Sequence, residues 1–120
     1  MTRQDLIDFC LTFPGAYEDY PYDHISKPGS VAVMRHNANK KSFATVYERN
    51  GRLCVTLKCE PMEADFLRQT YRDVEAMKSP VWNYVYVGGD VPEEELRSMI
   101  GSSYDLTKLK QKGQRKAKHE

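Results

Sequence analysis

Hydrophobic residues recur along this chain with two different periods, and the changes of period divide it into elements. Leu6, Phe9, Cys10 and Phe13 fall at i, i+3, i+4 and i+7, the stripe of an amphipathic helix. Thr2, followed by Asp5, supplies an N-cap with an acid in the first turn, and Pro14-Gly15 ends the helix. Residues 16–30, with Pro21, Pro28 and Gly29, read as a long loop holding a short extended piece around Tyr22 to Ile25. From Val31 the period becomes two. Val31 to Arg35 is a strand and residues 36–40 are its turn. Ser42 to Glu48 follows, with Phe43, Thr45 and Tyr47 on one face and Ala44 and Val46 on the other. Asn50-Gly51 is a type I′ hairpin signal, because both central residues of that turn need positive φ. Leu53, Val55 and Leu57 then alternate with Cys54, Thr56 and Lys58.

Pro61 sits at a first helical position with Glu60 and Glu63 around it, and Met62, Phe66 and Leu67 supply an apolar stripe to about Thr70. Val74 to Met77 and Val81 to Val87 read as strands, the second stopped by Gly88-Gly89. Pro92 and three glutamates open another helix with Leu96, Met99 and Ile100 inward; after Gly101 a last helical piece starts at Ser102 or Ser103. The order α-β-β-β-α-β-β-α implies an α+β fold, a two-layer sandwich with the helices on one face of an antiparallel sheet. The alternation does not distinguish the wet face of that sheet from the packed one. Residues 1–110 form one domain, and residues 111–120, whose only apolar residue is Ala117, are expected to be a disordered basic tail.

Several short motifs resemble the MmcQ/YjbR family of small bacterial proteins. They are Phe13-Pro14-Gly15, Leu57-Lys58-Cys59-Glu60-Pro61, Leu67-Arg68, Trp82-Asn83-Tyr84-Val85 and Ser103-Tyr104-Asp105-Leu106. The resemblance spans roughly residues 5–110. It implies an arrangement related to frataxin-like and secretion-chaperone-like domains, and DNA binding by a pair of charged hairpin wings. The chain departs from the family pattern before Trp82, where many relatives carry a basic run and this sequence reads Met77-Lys78-Ser79-Pro80-Val81. If that run meets phosphate, only Lys78 remains to do so.

Charge changes the picture. Net charge is +1, yet residues 108–120 hold six of the eighteen basic groups and one of the seventeen acids. The remainder carries 12 basic and 16 acidic groups, a net of −4, so the tail alone is cationic. Candidate phosphate contacts are Arg35, Lys40 and Lys41 at the first turn, Arg49 and Arg52 at the second, and Lys78. Consecutive turns of a meander lie at opposite ends of the sheet, about 23 Å apart for a seven-residue strand. The two clusters therefore cannot merge into one patch. In the tail Lys108, Lys110, Lys112, Arg115, Lys116 and Lys118 offer a denser set, expected to supply most of any affinity for DNA.

Other chemistry is thinly represented. Cys54 and Cys59 lack a compatible ligand pair for zinc, His24 and His36 stand alone in their segments, and adjacent glutamates 93–95 diverge by about 100° around a helix. No metal or cofactor is expected. Cys59 lies just before a helix N-terminus, where a thiol can be activated. No base is placed beside it, so no catalytic residue is assigned and Cys59 is expected to be a small buried thiol. Trp82, Tyr84 and Tyr86 share a strand face and form the best candidate for stacking or ligand contact. Trp82 itself is expected to be largely buried, anchoring its strand against a helix. With no apolar membrane span and no signal-peptide core, the expected setting is cytoplasmic. The leading reading is a non-enzymatic domain that binds DNA weakly through phosphates. The alternative is an adaptor or chaperone-like module using its sheet face for a protein partner. Behind both stands an enzyme or small-ligand binder using Trp82, Tyr84 and Cys59.

Overall fold

A computed structural model describes residues 1–110. The elements run α1 (Arg3–Leu11), β1 (Ala16–Asp19), β2 (Ala32–His36), β3 (Ser42–Arg49), β4 (Arg52–Lys58), α2 (Pro61–Thr70), β5 (Val74–Ala76), β6 (Trp82–Tyr86) and α3 (Glu93–Thr107). The strands form one antiparallel sheet in the order β1-β2-β3-β4-β6-β5. The predicted α+β order is present, with one addition. The segment expected to be loop contributes β1, which pairs with β2 at the sheet edge, whereas residues 22–25 form no strand.

Local signals act as their chemistry dictates. The Thr2 hydroxyl accepts from the Asp5 N–H while the Asp5 carboxylate accepts from the Thr2 N–H, a complete capping box. Asn50 and Gly51 have φ of 54° and 74°, as a type I′ turn requires. Two helices differ from expectation. In α2, Ala64 and Leu67 face inward, while Met62 and Phe66, about 200° around the helix from Ala64, are exposed. α3 runs through Gly101 without a break, because that residue packs over Phe13 and its neighbours on the helix are buried.

The core lies between the helices and one sheet face, where Ala32, Met34, Ala44, Val46, Val55, Leu57 and Val85 meet Leu6, Ile7, Leu67, Met99 and Ile100. Phe43 joins this core instead of pointing away with Thr45 and Tyr47. Met34 pairs with Ala44 but Arg35 pairs with Ser42, so Phe43 is the extra residue of a β-bulge and its side chain turns inward. The bulge is held by α3. The Ser103 hydroxyl, fully buried, accepts from the Lys58 N–H at 2.9 Å and donates to the Phe43 carbonyl at 2.6 Å. It bridges β3 and β4 where their direct pairing stops.

One turn further on, Thr107 closes the same end. Its hydroxyl donates to the Ser103 carbonyl at 2.7 Å and so must accept, at 2.8 Å, from His36 Nε2, which fixes the protonated nitrogen of that ring. Asn39 Nδ2 donates to the Thr107 carbonyl at 3.0 Å. His36 is buried against Phe43 and Tyr104.

Two outcomes follow for stability. Ser103→Ala leaves a buried N–H and carbonyl without their bridge, and should lower unfolding free energy by roughly 1–3 kcal/mol in a urea titration with unchanged m. Burial, and then the charge of Lys108, hold the His36 imidazole below its usual pKa. The unfolded chain then binds the proton more readily, so this stability is complete above the unfolded value of about 6.5 and is lost as pH falls below it. Urea midpoints should fall between pH 7 and 5, and His36→Gln should lose most of that slope.

Candidate functional site

All three helices pack on one side of the sheet, so the opposite side is open. Register places its residues in rows across the strands. Val33, Thr45, Thr56 and Tyr84 are successive cross-strand partners, and Tyr47, Cys54 and Tyr86 form the next row. Lys58 pairs with Trp82 in the row on the other side. Two short threonines thus occupy the middle, with longer side chains around them. The result is a depression of about 440 Å³ lined by Thr45, Thr56, Met77, Lys78, Trp82 and Tyr84. It continues into a hollow of about 340 Å³ that shares Thr45, Thr56 and Met77 and adds Tyr22, Val31 and Tyr47. Together they make one groove across the open face, of a size usual for ligand sites.

Trp82 therefore does not anchor its strand against a helix. It is half-buried and lines the groove; Asn83 and Val85 take the helix side. Tyr84 lines the groove beside it. Tyr86 shares their face but is 97% covered, since its hydroxyl accepts from Arg49 and from Asn50 Nδ2, with Arg52 over its ring at 4.7 Å. Tyr47 joins the site, and desolvation pushes its phenol up to about 12, so it stays neutral. Tyr22, Thr45, Tyr47, Thr56 and Met77 were not singled out from the sequence. The alternation of Thr45, Tyr47 and Thr56 was legible, but Tyr22 and Met77 reach the groove from outside the strands, and Trp82 and Tyr84 come beside it through the β4–β6 pairing across 24 to 32 positions, which no local pattern encodes.

The cations are placed at opposite ends of the sheet, as the meander argument requires, and the arginines among them are engaged. Arg35 pairs with Asp19 at 2.8 Å and donates to the Lys40 carbonyl. Arg49 lies 3.8 Å over the Tyr84 ring and pairs with Glu75 at 3.2 Å. Arg52 grips Asp73 with two bonds of 3.0 and 3.2 Å, holding that carboxyl below its usual pKa. Asp73 in turn accepts from the Asp90 N–H, and Asp90 from the N–H groups of Arg72 and Asp73. Gly89 sits against this clamp so closely that a Cβ would fall 1.6 Å from Asp73 Oδ2. Lys40 lies over Tyr17 and bonds Asn37, and Lys108 pairs with Asp105. Among the described residues, Lys41, Lys58, Lys78 and Lys110 enter no ion pair. Lys78 lines the groove, and Lys58 is the cross-strand partner of Trp82 at the same end. Lys112, Arg115, Lys116 and Lys118 lie outside the described residues, as does the expected disorder of the tail.

A family model for YjbR matches residues 11–106. The chain belongs to the YjbR family. It is 30% identical over 107 residues to an uncharacterised Escherichia coli (strain K12) protein YjbR, covering 87% of this chain and 85% of that one. A crystal structure from Pseudomonas syringae superposes with a TM-score of 0.75 at 26% identity, covering 90% of this chain and all of the other. A Deinococcus radiodurans structure with a domain described as DUF419 gives 0.77 at 25% identity, covering 97% and 86%.

Residues that carry the YjbR resemblance turn out to touch one another inside the scaffold. The Tyr104 hydroxyl donates to the Pro14 carbonyl and its ring stacks on Phe13 at 4.8 Å, joining the first motif to the last. Asn83, fully buried, donates to the Ala64 carbonyl at 3.3 Å and accepts from Arg68 at 2.6 Å, tying the Leu67-Arg68 and Trp82-Asn83 motifs together. Cys59 contacts the same amide, 3.9 Å from Nδ2.

Among the described residues no group of three or more His, Cys, Asp or Glu side chains could hold a metal. Burial pushes the thiols of Cys10, Cys54 and Cys59 up to about 12, 11 and 11, and Glu63 pushes that of Cys59 the same way. A neutral alkylating reagent at pH 7 should label none of the three in the native protein within the time that labels all three in urea. Rapid labelling of Cys59 alone would show an activated thiol.

Proposed function

We propose that this YjbR-family chain is a non-enzymatic nucleic-acid-binding module that takes single-stranded DNA across the helix-free face of its sheet. The observation that carries the reading is the groove itself. An open sheet face with Trp82, Tyr84 and Tyr47 standing around a low centre suits unpaired bases, which stack on aromatic rings whatever their sequence. Lys58 and Lys78 at its border supply charge for the phosphates that follow the bases.

The charged hairpins are weaker candidates than the family resemblance implies. Their arginines already hold Asp19, Glu75 and Asp73, and releasing them for phosphate would leave those carboxylates unpaired. Duplex DNA also presents no ring faces to a groove of this shape. Binding is therefore expected to rest on stacking more than on charge, with the net −4 of residues 1–107 keeping it weak.

Titration of a short single-stranded oligonucleotide, read by Trp82 fluorescence and checked by calorimetry, tests this. Trp82→Leu and Tyr84→Leu should each weaken binding by roughly 5- to 150-fold, the equivalent of about 1–3 kcal/mol per stacked base. With about one to three phosphates neutralised, log K should fall with log salt at a slope near −0.7 to −2.1. Tighter binding of duplex, unaffected by either leucine variant, would move the site to the hairpins or the tail. Absence of binding to any strand at 20 mM salt would favour a protein partner on the same face.

A further inference from the structure

The floor of the groove carries two hydroxyl side chains, Thr45 half-buried and Thr56 buried, while Trp82, Tyr84 and Tyr47 stand around it. Thr45 on β3 and Thr56 on β4 are direct cross-strand partners, so their β-carbons stand about 5 Å apart and both side chains point to the open side. Both line each half of the groove. Around them stand taller groups, with Tyr84 next in the row, Tyr47 at one end, and Trp82 beside Lys58 at the other. Stacking alone needs no hydroxyls at the bottom of such a hollow, and an apolar pair would make a better platform. A threonine hydroxyl both donates and accepts, and can therefore meet the mixed donor and acceptor edge of a heterocycle.

We infer that this depression is a subsite for one nucleobase, seated edge-down on the hydroxyls of Thr45 and Thr56 between the Trp82 and Tyr84 side and Tyr47, with its phosphate towards Lys78. The inference rests on the single-strand reading and sharpens it: binding is selective for base type, although the rest of the contact is indifferent to sequence. The same chemistry is offered by a base in a strand and by a free nucleotide.

The test uses the full chain, titrated with the four deoxynucleoside monophosphates and with homo-oligomers of six dA, dC, dG or dT residues. Thr45→Val and Thr56→Val remove each hydroxyl while keeping a β-branched residue suited to a strand. The intact protein should rank the four bases, the best exceeding the worst by about three- to tenfold for a hydrogen bond or two. Each valine variant should shrink that spread to less than about twofold. Equal binding of all four oligomers, or a ranking that survives both valine variants, would overturn the subsite while leaving single-strand binding intact. A ranked response to the monophosphates with no gain from the oligomers would keep the subsite and make the free nucleotide its ligand, overturning the strand reading instead. No response to any of the eight would overturn both.

Discussion

The structure depends on how α3 is seated on the sheet, and a single hydroxyl sets that seat. Ser103 stands between the Phe43 carbonyl and the Lys58 N–H, where two strands part around a bulge, and replaces their missing ladder contact with two hydrogen bonds of its own. A buried polar group is tolerated only if satisfied, so the helix can take only the position that satisfies it. Tyr104, Thr107 and His36 extend the same contact by one turn, binding the end of α3 to β2 and to the start of β1. The bulge turns Phe43 into the core, where its ring packs against both His36 and Tyr104, which also touch each other.

With α1, α2 and α3 all committed to one side, the opposite side of the sheet carries no helix and is met by connecting segments at Tyr22, Val31 and Met77. It meets water without being uniformly polar. Cys54, Val33 and Tyr86 are nearly buried there by their neighbours, while Thr45, Trp82 and Tyr84 remain partly accessible around a hollow. Threonines in register on the two central strands cannot rise as high as the tyrosines and tryptophan beside them, and Tyr22, Val31, Met77 and Lys78 from the connecting segments wall the hollow further. Concavity, aromatic walls and two lysines that enter no ion pair coincide at this place.

Much of the motif set that marks the family is scaffold. Asn83, Arg68, Tyr104, Pro14 and Ser103 bond one another or the backbone, and none of the five lines the groove. Trp82 and Tyr84, which belong to the same motifs, are the ones that line it. Cationic hairpins that look available in one dimension lie beside acids in three, and their arginines spend their charge on Asp19, Glu75 and Asp73.

Local physics was legible from the residues themselves. The Thr2 N-cap with Asp5 in the first turn, Pro61 at the head of α2, the Asn50-Gly51 turn and the alternation of β4, and of β3 from Ala44 onward, each follow from interactions within a few positions of chain, and each stands where the pattern put it. The four-residue strand β1 was not legible, because its ladder comes from β2, some sixteen residues further on, and not from any alternation of its own. Phe43 pointed the wrong way in the alternation because a bulge is a two-strand event. Met62 and Phe66 looked inward because a helix stripe can be drawn through them as easily as through Ala64 and Leu67, and only the position of β5 chooses between the two. The open face was the largest decision of this kind. Period two assigns side chains to two faces but does not label them, and the label comes from where the helices land. Only then do Thr45, Thr56, Tyr84 and Trp82, on three different strands, become neighbours in one groove.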